Sequence, residues 1–197
     1  MPAAVPTDEI YERYLAKAIA EINDLGDELR RAGDELRVPV VGSGHPLGDI
    51  FLLKFSPQPA EIQEGVAFFG RTGQAILKSL QRLRVDPLAV YGTNCLKFGT
   101  EDPADASAWL TRELHIVQPK LVVVMGEQVA AFVNDLHFPL AEQLPVESTG
   151  TIQRFTPTIE ALVTTAVDES LDGQAEKTQF WNAFKALGPW WAEQPPY

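Results

Sequence analysis

Apolar residues along this chain are arranged in two ways that predict two kinds of element. In four short segments they follow one another almost without interruption and include many β-branched residues, which is typical of strands in a sheet covered on both faces. These segments span residues 49–55, 88–94, 120–126 and 161–167. Helical patterns lie between them, so the sequence predicts an α/β fold: a three-layer α/β/α sandwich with a central four-stranded, mainly parallel sheet.

The helices are predicted by apolar residues that recur at three- and four-residue steps. An N-terminal pattern over residues 7–36 forms one helix or two broken ones, and Thr7 can cap its start. Later helices are predicted over residues 73–84, 104–117, 127–136 and 177–187. We interpret residues 1–197 as a single domain, with residues 1–38 as an N-terminal helical extension and residues 188–197 as a C-terminal tail that covers a groove or is loose.

Charge and cysteine content restrict the classes of function. The chain has 16 Lys and Arg against 27 Asp and Glu, a formal net charge of -11 at pH 7. Nucleic-acid binding depends on neutralising phosphates, so the surface as a whole is expected to repel DNA, while a local basic patch can still bind it. One cysteine, Cys95, provides neither a disulfide nor a thiolate cage for a metal, and no metal or other cofactor is expected.

The sequence shows neither a membrane-spanning segment nor a secretory signal. No apolar run has the length needed to span a membrane, and the N-terminal segment MPAAVPTDEIYERYL lacks the basic start and apolar centre of a secretory signal. A cytoplasmic location without membrane association is therefore expected.

Ligands bind sheets of this kind beyond the carboxyl ends of the strands. The segments there are residues 56–69, 94–99, 126–128 and 166–171. The glycine-rich segment GSGHPLGD, residues 42–49, precedes its strand and is interpreted as a turn rather than a nucleotide loop. His45, His115 and His137 all lie outside this edge, so none is expected to act as a general acid or base.

The segment FFGRTGQ, residues 68–74, has the composition of a base-binding loop. Phe68 or Phe69 can stack on a planar base, and a helix start beside Arg71 faces free amide groups towards an anion. Gly70 and Gly73 allow a backbone to approach closely. The alternative interpretation is that the rings belong to the core and the glycines only turn the chain.

Asn94 ends the second predicted strand. Its amide has a donor and an acceptor side by side, the pattern needed to read one edge of a nucleobase. Asparagine is also common in strand-ending turns, so this feature alone leaves both interpretations open.

In their order along the chain, these segments resemble the uracil-DNA glycosylase superfamily, most closely its family 4. The resemblance runs from VVGSGHPLGDIFLLKFSPQ to FWNAFKAL and excludes only the N-terminal helix and the tail. The family sequence Gly-Glu-Ala-Pro-Gly corresponds to Lys54, Phe55, Ser56, Pro57 and Gln58. Further along, the family's Gly, Phe, Gly, Arg and Gly correspond to Gly65, Phe68, Gly70, Arg71 and Gly73.

The resemblance implies a role in DNA repair by base excision and assigns a pocket. Phe68 would stack on a flipped uracil and Asn94 would bind its edge. The first loop would line the base-binding pocket with Ser56, Pro57 and Gln58. The backbone or a phosphate would approach Gly70, Arg71 and Gly73.

The chain departs from the family at its catalytic positions. The family acid corresponds to Phe55, and the family histidine of a Thr-x-His-Pro segment corresponds to Val167. A family 4 cluster cysteine is replaced by Phe98. Losing a single preorganised donor costs about a hundred- to a thousand-fold in rate, so normal uracil excision is not expected.

Four acids near the two loops are candidate substitutes. They are Glu61, Glu64, Asp168 and Glu169. The simpler interpretation is that each is a solvated loop acid.

Three functions therefore stay open. The favoured hypothesis is a pseudoenzyme: a binding or interaction module for a base, nucleic acid or protein that lacks normal uracil excision. The alternatives are a repair glycosylase for uracil or another damaged base with a divergent catalytic set, and a small nucleobase- or nucleotide-binding protein. The partners expected are single-stranded or uracil-containing DNA, a nucleobase, or a protein. A positive groove containing Arg71, Lys78 and Lys97 would favour DNA.

Overall fold

A computed structural model of the chain describes residues 7–195. The strands are β1 Ser43–Gly44, β2 Ile50–Lys54, β3 Val90–Asn94, β4 Leu121–Met125, β5 Ile152–Arg154 and β6 Glu160–Thr164. The helices are α1 Thr7–Ala32, α2 Pro59–Glu64, α3 Arg71–Leu83, α4 Pro103–Val117, α5 Glu127–Asp135, α6 Gln174–Phe184 and α7 Leu187–Ala192. Short 3-10 turns cover Pro87–Ala89 and Glu169–Leu171. The description excludes residues 1–6 and 196–197. The segment examined for a secretory signal begins in the first range, and the predicted tail ends in the second.

The sheet has the order β1-β3-β2-β4-β6-β5. Its four inner strands, β3, β2, β4 and β6, are mutually parallel, which confirms the α/β fold and the predicted parallel centre. The strand number is six rather than four, because β1 and β5 add to the two edges in antiparallel orientation. These edge strands are two and three residues long, too short for a period to be visible in the sequence.

Every residue of β2, β3 and β4 is buried, as expected for strands covered on both faces. Side chains alternate between the faces. On one face, Phe51, Leu53 and Val124 pack in a core with α4 and α5. On the other, Leu52 and Val123 pack in a core with α3, α6 and α7.

The N-terminal pattern forms one helix, α1, that continues through Gly26 and ends at Ala32. Leu25 and Leu29 of this helix are buried in a cluster with Phe98. None of the helices within residues 7–195 is long and apolar enough to cross a membrane.

The last predicted helix is divided into α6 and α7. Leu187 and Trp190 of α7 are buried in the core, and Trp190 Nε1 donates to Glu160 Oε2 at 2.5 Å. The described part of the tail is therefore packed against the domain rather than loose. The division into an N-terminal extension, residues 1–38, and a C-terminal tail, residues 188–197, stays a prediction.

The segment of residues 42–49 supplies β1 and the turn into β2, in agreement with its interpretation as a turn. Gly44 has φ +107°, a conformation that favours glycine, and a Cβ there would lie 2.2 Å from the Val90 carbonyl oxygen. The glycines of this segment thus serve the close approach of β1 to β3.

A buried ion pair joins the end of β3 to α4. Lys97 Nζ is paired with Glu113, donates to Thr93 Oγ1 at 2.6 Å and donates to the Asn94 carbonyl oxygen at 2.8 Å. Tyr91 Oη donates to Glu113 Oε1 at 2.9 Å. Burial raises the pKa of Tyr91 well above its usual value, and the neighbouring Glu113 charge adds to this effect. Lys97 does not contribute to a positive surface groove, because its ammonium is fully buried in this network.

We expect Glu113→Gln to lower the free energy of unfolding by about 3–5 kcal/mol, because it leaves the Lys97 charge buried without a partner. The measurement is equilibrium unfolding in urea. Glu28→Gln is the matched control, since it breaks the exposed Arg112–Glu28 pair and should change stability much less. Equal losses in the two variants would contradict a structural role for the buried pair.

Candidate functional site

A buried lysine lies at the carboxyl end of β2, at the centre of the edge where ligands are expected. The Lys54 side chain is 2% exposed. Its Nζ lies 2.6 Å from Glu61 Oε2 and 3.1 Å from Asp168 Oδ2, and it donates to the Ser56 carbonyl oxygen at 2.8 Å. The ammonium therefore donates to Ser56 and Asp168 and has Glu61 as a second carboxylate partner for its charge.

Glu61, on α2, connects the first loop to the aromatic segment. Its side chain is fully buried. Oε2 accepts from the Gln58 backbone amide at 2.7 Å, and Oε1 accepts from the Phe68 backbone amide at 2.5 Å. The interpretation of Glu61 as a solvated loop acid is wrong, because Lys54 and two backbone amides hold it inside the protein.

Asp168, in the segment after β6, faces the same lysine from the other side. Oδ1 accepts from Thr72 Oγ1 at 2.6 Å, and Oδ2 accepts from Gln58 Nε2 at 3.1 Å. Its side chain is 22% exposed, so the carboxylate is fixed by three donors yet still reaches a cleft. Its interpretation as a solvated acid is also wrong, whereas Glu64 and Glu169 are exposed, as expected.

Phe68 has an unusual backbone conformation next to this charge cluster. Its φ of +60° lies in the left-handed region, which is rare for residues other than glycine and recurs at functional sites. Its ring packs over Gly92 of β3, where a Cβ would lie 2.7 Å from Phe68 Cδ2. Lys54 Nζ lies over the same ring, 6.0 Å from its centroid. Phe69, in contrast, is exposed.

The two glycines of the aromatic segment have separate roles. Gly70 precedes α3 with φ +83°, a glycine conformation. At Gly73 a Cβ would lie 1.8 Å from the Phe68 carbonyl oxygen. The missing side chain at Gly73 makes room for the protein's own chain at Phe68, and the approach of a ligand backbone to Gly70 and Gly73 stays a prediction.

Asn94 is fully buried, yet neither its amide oxygen nor its amide nitrogen has a hydrogen-bond partner among the described residues. A buried amide without partners costs about 1–3 kcal/mol per group and is rare in native structures. Asn94 pairs with Lys54 in the β2–β3 register and lies on the same face as Gly92, two residues earlier. The amide therefore belongs to the same end of the sheet as Lys54 and Phe68.

Several predicted pocket residues line two separate clefts, and Asn94 lines neither of them. One cleft, of about 440 Å³, is lined by Phe68, Gly70 and Gly73 together with Gly92. The other, of about 510 Å³, is lined by Lys54, Ser56, Gln58, Asp168, Phe55 and Val167. Pro57 is buried behind the loop, and Arg71 opens to a separate groove. The structure thus brings the predicted residues to one edge without joining them in one cavity.

Phe55 and Val167 occupy the positions of the family's acid and histidine. Both side chains make apolar contacts. The Phe55 ring meets the Phe132 ring edge-on at 6.4 Å, and Val167 is buried in the core with α6. The charged residues are their immediate neighbours, Lys54 and Asp168. Sequence reasoning missed Lys54, although a lysine that ends a buried strand needs a partner and so signals a buried charge cluster.

An iron–sulfur cluster of the kind found in family 4 needs several thiolates. This sequence has only Cys95, which is buried, and burial raises the pKa of its thiol. Within residues 7–195 there is also no group of three or more His, Cys, Asp or Glu side chains that could hold a metal. The residues present do not fit such a cluster.

Comparison with known proteins agrees with the resemblance seen in the sequence. Residues 41–185 match the model of a family described as the uracil DNA glycosylase superfamily. A type-4 uracil-DNA glycosylase of Sulfurisphaera tokodaii is 26% identical over 103 residues, which cover 48% of this chain and 47% of the relative. The aligned part of the chain thus spans about half the length of this curated relative.

We expect Gly92→Ala to destabilise the protein by about 1–3 kcal/mol, because the added methyl group overlaps the Phe68 ring. Gly26→Ala is the matched control, since a Cβ there meets only ordinary contacts within a helix and should be neutral or stabilising. Urea unfolding of Gly92→Ala, Phe68→Leu and the double variant measures the coupling between the two positions. Additive losses would show that Phe68 does not pack on Gly92.

Proposed function

Because the chain belongs to the uracil-DNA glycosylase superfamily, we propose that it is a DNA glycosylase that uses Lys54 and Asp168 in place of the family's acid and histidine. The observation that carries this proposal is the position of the Lys54 ammonium, over the Phe68 ring and paired with Asp168. A cation and a carboxylate thus face the place where a stacked base and its sugar would lie.

Recognition of the base is assigned to Phe68 and Asn94. Stacking on an aromatic ring contributes about 1–3 kcal/mol per base and tolerates every base. The Asn94 amide supplies the selective contact, because its donor and acceptor have no other partner among the described residues. A flipped pyrimidine such as uracil presents a complementary donor and acceptor on its edge.

The charges on the two loops are exchanged relative to the family. The resemblance places an acid in the first loop and a histidine in the late loop, whereas this chain has Lys54 beside the first position and Asp168 beside the second. The Lys54 ammonium lies 6.0 Å from the Phe68 ring centroid, close enough for its charge to act on a base bound at that ring.

The reaction would proceed by breaking the bond between C1′ of the sugar and the base nitrogen. The electron pair of this bond leaves with the base, and the Lys54 ammonium stabilises the resulting negative charge. The Asp168 carboxylate stabilises the positive charge on the sugar. Water then adds to C1′ and gives up a proton to the carboxylate or solvent, so the products are a free base and an abasic site.

A second candidate function is the binding of a flipped base without excision. It is favoured by the enclosure of Lys54, whose ammonium is paired with Glu61 and Asp168 and donates to the Ser56 carbonyl oxygen. In this case the lysine, which replaces a family glycine, occupies the face of Phe68 on which the base would stack. This is the pseudoenzyme hypothesis favoured by the sequence.

For the glycosylase, we expect the wild-type protein to release uracil from single-stranded DNA, measured as alkali-sensitive strand breaks. Asp168→Asn should lower kcat by about a hundred- to a thousand-fold, because it removes one preorganised charge. Asp168 is partly exposed and an amide can keep some of its hydrogen bonds, so the variant is expected to fold. Glu64→Gln, an exposed acid on α2, is the control and should leave kcat unchanged.

Lys54→Gly, which restores the family residue, separates the two candidates. The glycosylase proposal expects it to lose excision, with thermal unfolding measured to show that the variant is folded. The binding module expects no excision by the wild-type protein and tighter binding of uracil-containing DNA by Lys54→Gly. No excision by the wild type under any of these conditions, together with unchanged binding by Lys54→Gly, would contradict both.

A further inference from the structure

A groove of about 530 Å³ lies between α3 and α6 and begins at Arg71. Its charged lining residues are all cationic: Arg71, Lys78 and Arg82 on α3 and Lys177 on α6. Among the described residues, no Asp or Glu lines it. In a chain with 27 acids and 16 bases, a groove lined by four cations and by no described acid is a marked local reversal of the net charge.

Three of these cations have no carboxylate partner among the described residues. Among residues 7–195, no carboxylate forms an ion pair with Lys78, Arg82 or Lys177, and all three side chains belong to exposed residues. Arg71 differs, since its guanidinium donates to Asp172 Oδ1 at 2.8 Å and to the Leu171 carbonyl oxygen at 3.4 Å. The available positive charge therefore lies along the middle and far end of α3.

An aromatic side chain lies among these cations. Trp181 of α6 lines the groove and is half-buried, and the Arg82 guanidinium lies over its ring at 4.2 Å from the centroid. Proteins that bind single-stranded nucleic acid combine a cationic groove for the backbone with aromatic rings for the bases. Both components are present here.

The groove is separate from the two clefts but adjoins the charge cluster of Lys54 and Asp168. It begins at Arg71, the residue before Thr72, whose hydroxyl donates to Asp168 in the charge cluster. From Arg71 to Arg82, α3 rises about 16 Å, at about 1.5 Å per residue. That distance matches several phosphates of one strand, which lie about 3.4 Å apart along the axis of B-DNA.

We propose that this groove binds the single-stranded DNA that flanks the target base, with phosphates at Lys78, Arg82 and Lys177 and a base against Trp181. The groove encloses about 530 Å³, a volume typical of a small-ligand pocket, so it admits part of a single strand rather than a duplex. The choice of DNA as the occupant rests on the proposed function, whereas the requirement for an extended polyanion rests on the spacing of the cations.

The test is the binding of a fluorescent oligodeoxythymidylate without uracil, followed by anisotropy over a range of salt concentrations. We expect Lys78→Glu/Arg82→Glu to weaken binding by more than tenfold. We also expect the slope of log affinity against log salt to become less steep by about 1.4, because each phosphate of a single strand that a cation no longer neutralises lowers the slope by about 0.7. Trp181→Leu should weaken binding without changing the slope, because it removes stacking and no charge.

The matched control is Lys17→Glu/Arg30→Glu, which changes the net charge equally on exposed positions of α1. Equal weakening by both double variants would assign the effect to the overall field of the protein and overturn the groove. Two other results would also overturn it: no oligonucleotide binding by the wild type, or thymidine monophosphate competing as strongly as the oligonucleotide, which would indicate a nucleotide site.

This test is separate from that of excision. The probe strand contains no uracil, so its binding is measured independently of base excision. The groove proposal stands if the wild-type protein binds the strand but releases no base. It fails if the wild type releases uracil and the groove variant binds the strand and releases uracil equally well.

Discussion

The arrangement at the carboxyl edge of the sheet depends on one buried lysine. Lys54 ends β2 with its ammonium enclosed, and such a charge is tolerated inside a protein only when partners satisfy it. Glu61 brings α2 and the Phe68 backbone to it, and Asp168 brings the segment after β6. Asp168 in turn reaches Thr72 at the start of α3. The first loop, the aromatic segment and the late loop are held together because each supplies a group that this one charge requires.

A second buried lysine performs the same task on the opposite face. Lys97 and Glu113 connect the end of β3 to α4, and the Asn94 carbonyl oxygen accepts from that lysine. The backbone of Asn94 is thereby fixed from one face while its amide turns to the other, where it has no partner among the described residues. A side chain held in this way is already oriented for a ligand, so little conformational entropy would be lost when it binds one.

Local pattern accounts for the inner strands and the helices that cover them, and it predicts Phe68 and Asn94 as candidate site residues. It could not reveal the edge strands, because β1 and β5 are too short to show a period. Nor could it reveal the charge cluster, since Asp168 lies 114 positions from Lys54 in the sequence and such pairing depends on the folded topology. The need for glycine at position 73 is not visible in the sequence for the same reason. A side chain there would collide with the Phe68 carbonyl oxygen, which lies close only in the folded turn.

The net charge of -11 and a role on DNA are compatible once distance is considered. At physiological ionic strength, charges separated by more than about 8 Å of solvent are largely screened from each other. Affinity for a strand is then decided by the cations that touch its phosphates, and the described lining of the α3–α6 groove contains cations without acids. The remote acids act mainly on the rate of encounter, since they repel DNA that approaches any other face. An acidic surface with a cationic groove would therefore restrict where a strand binds, and the α3–α6 groove adjoins the proposed base site.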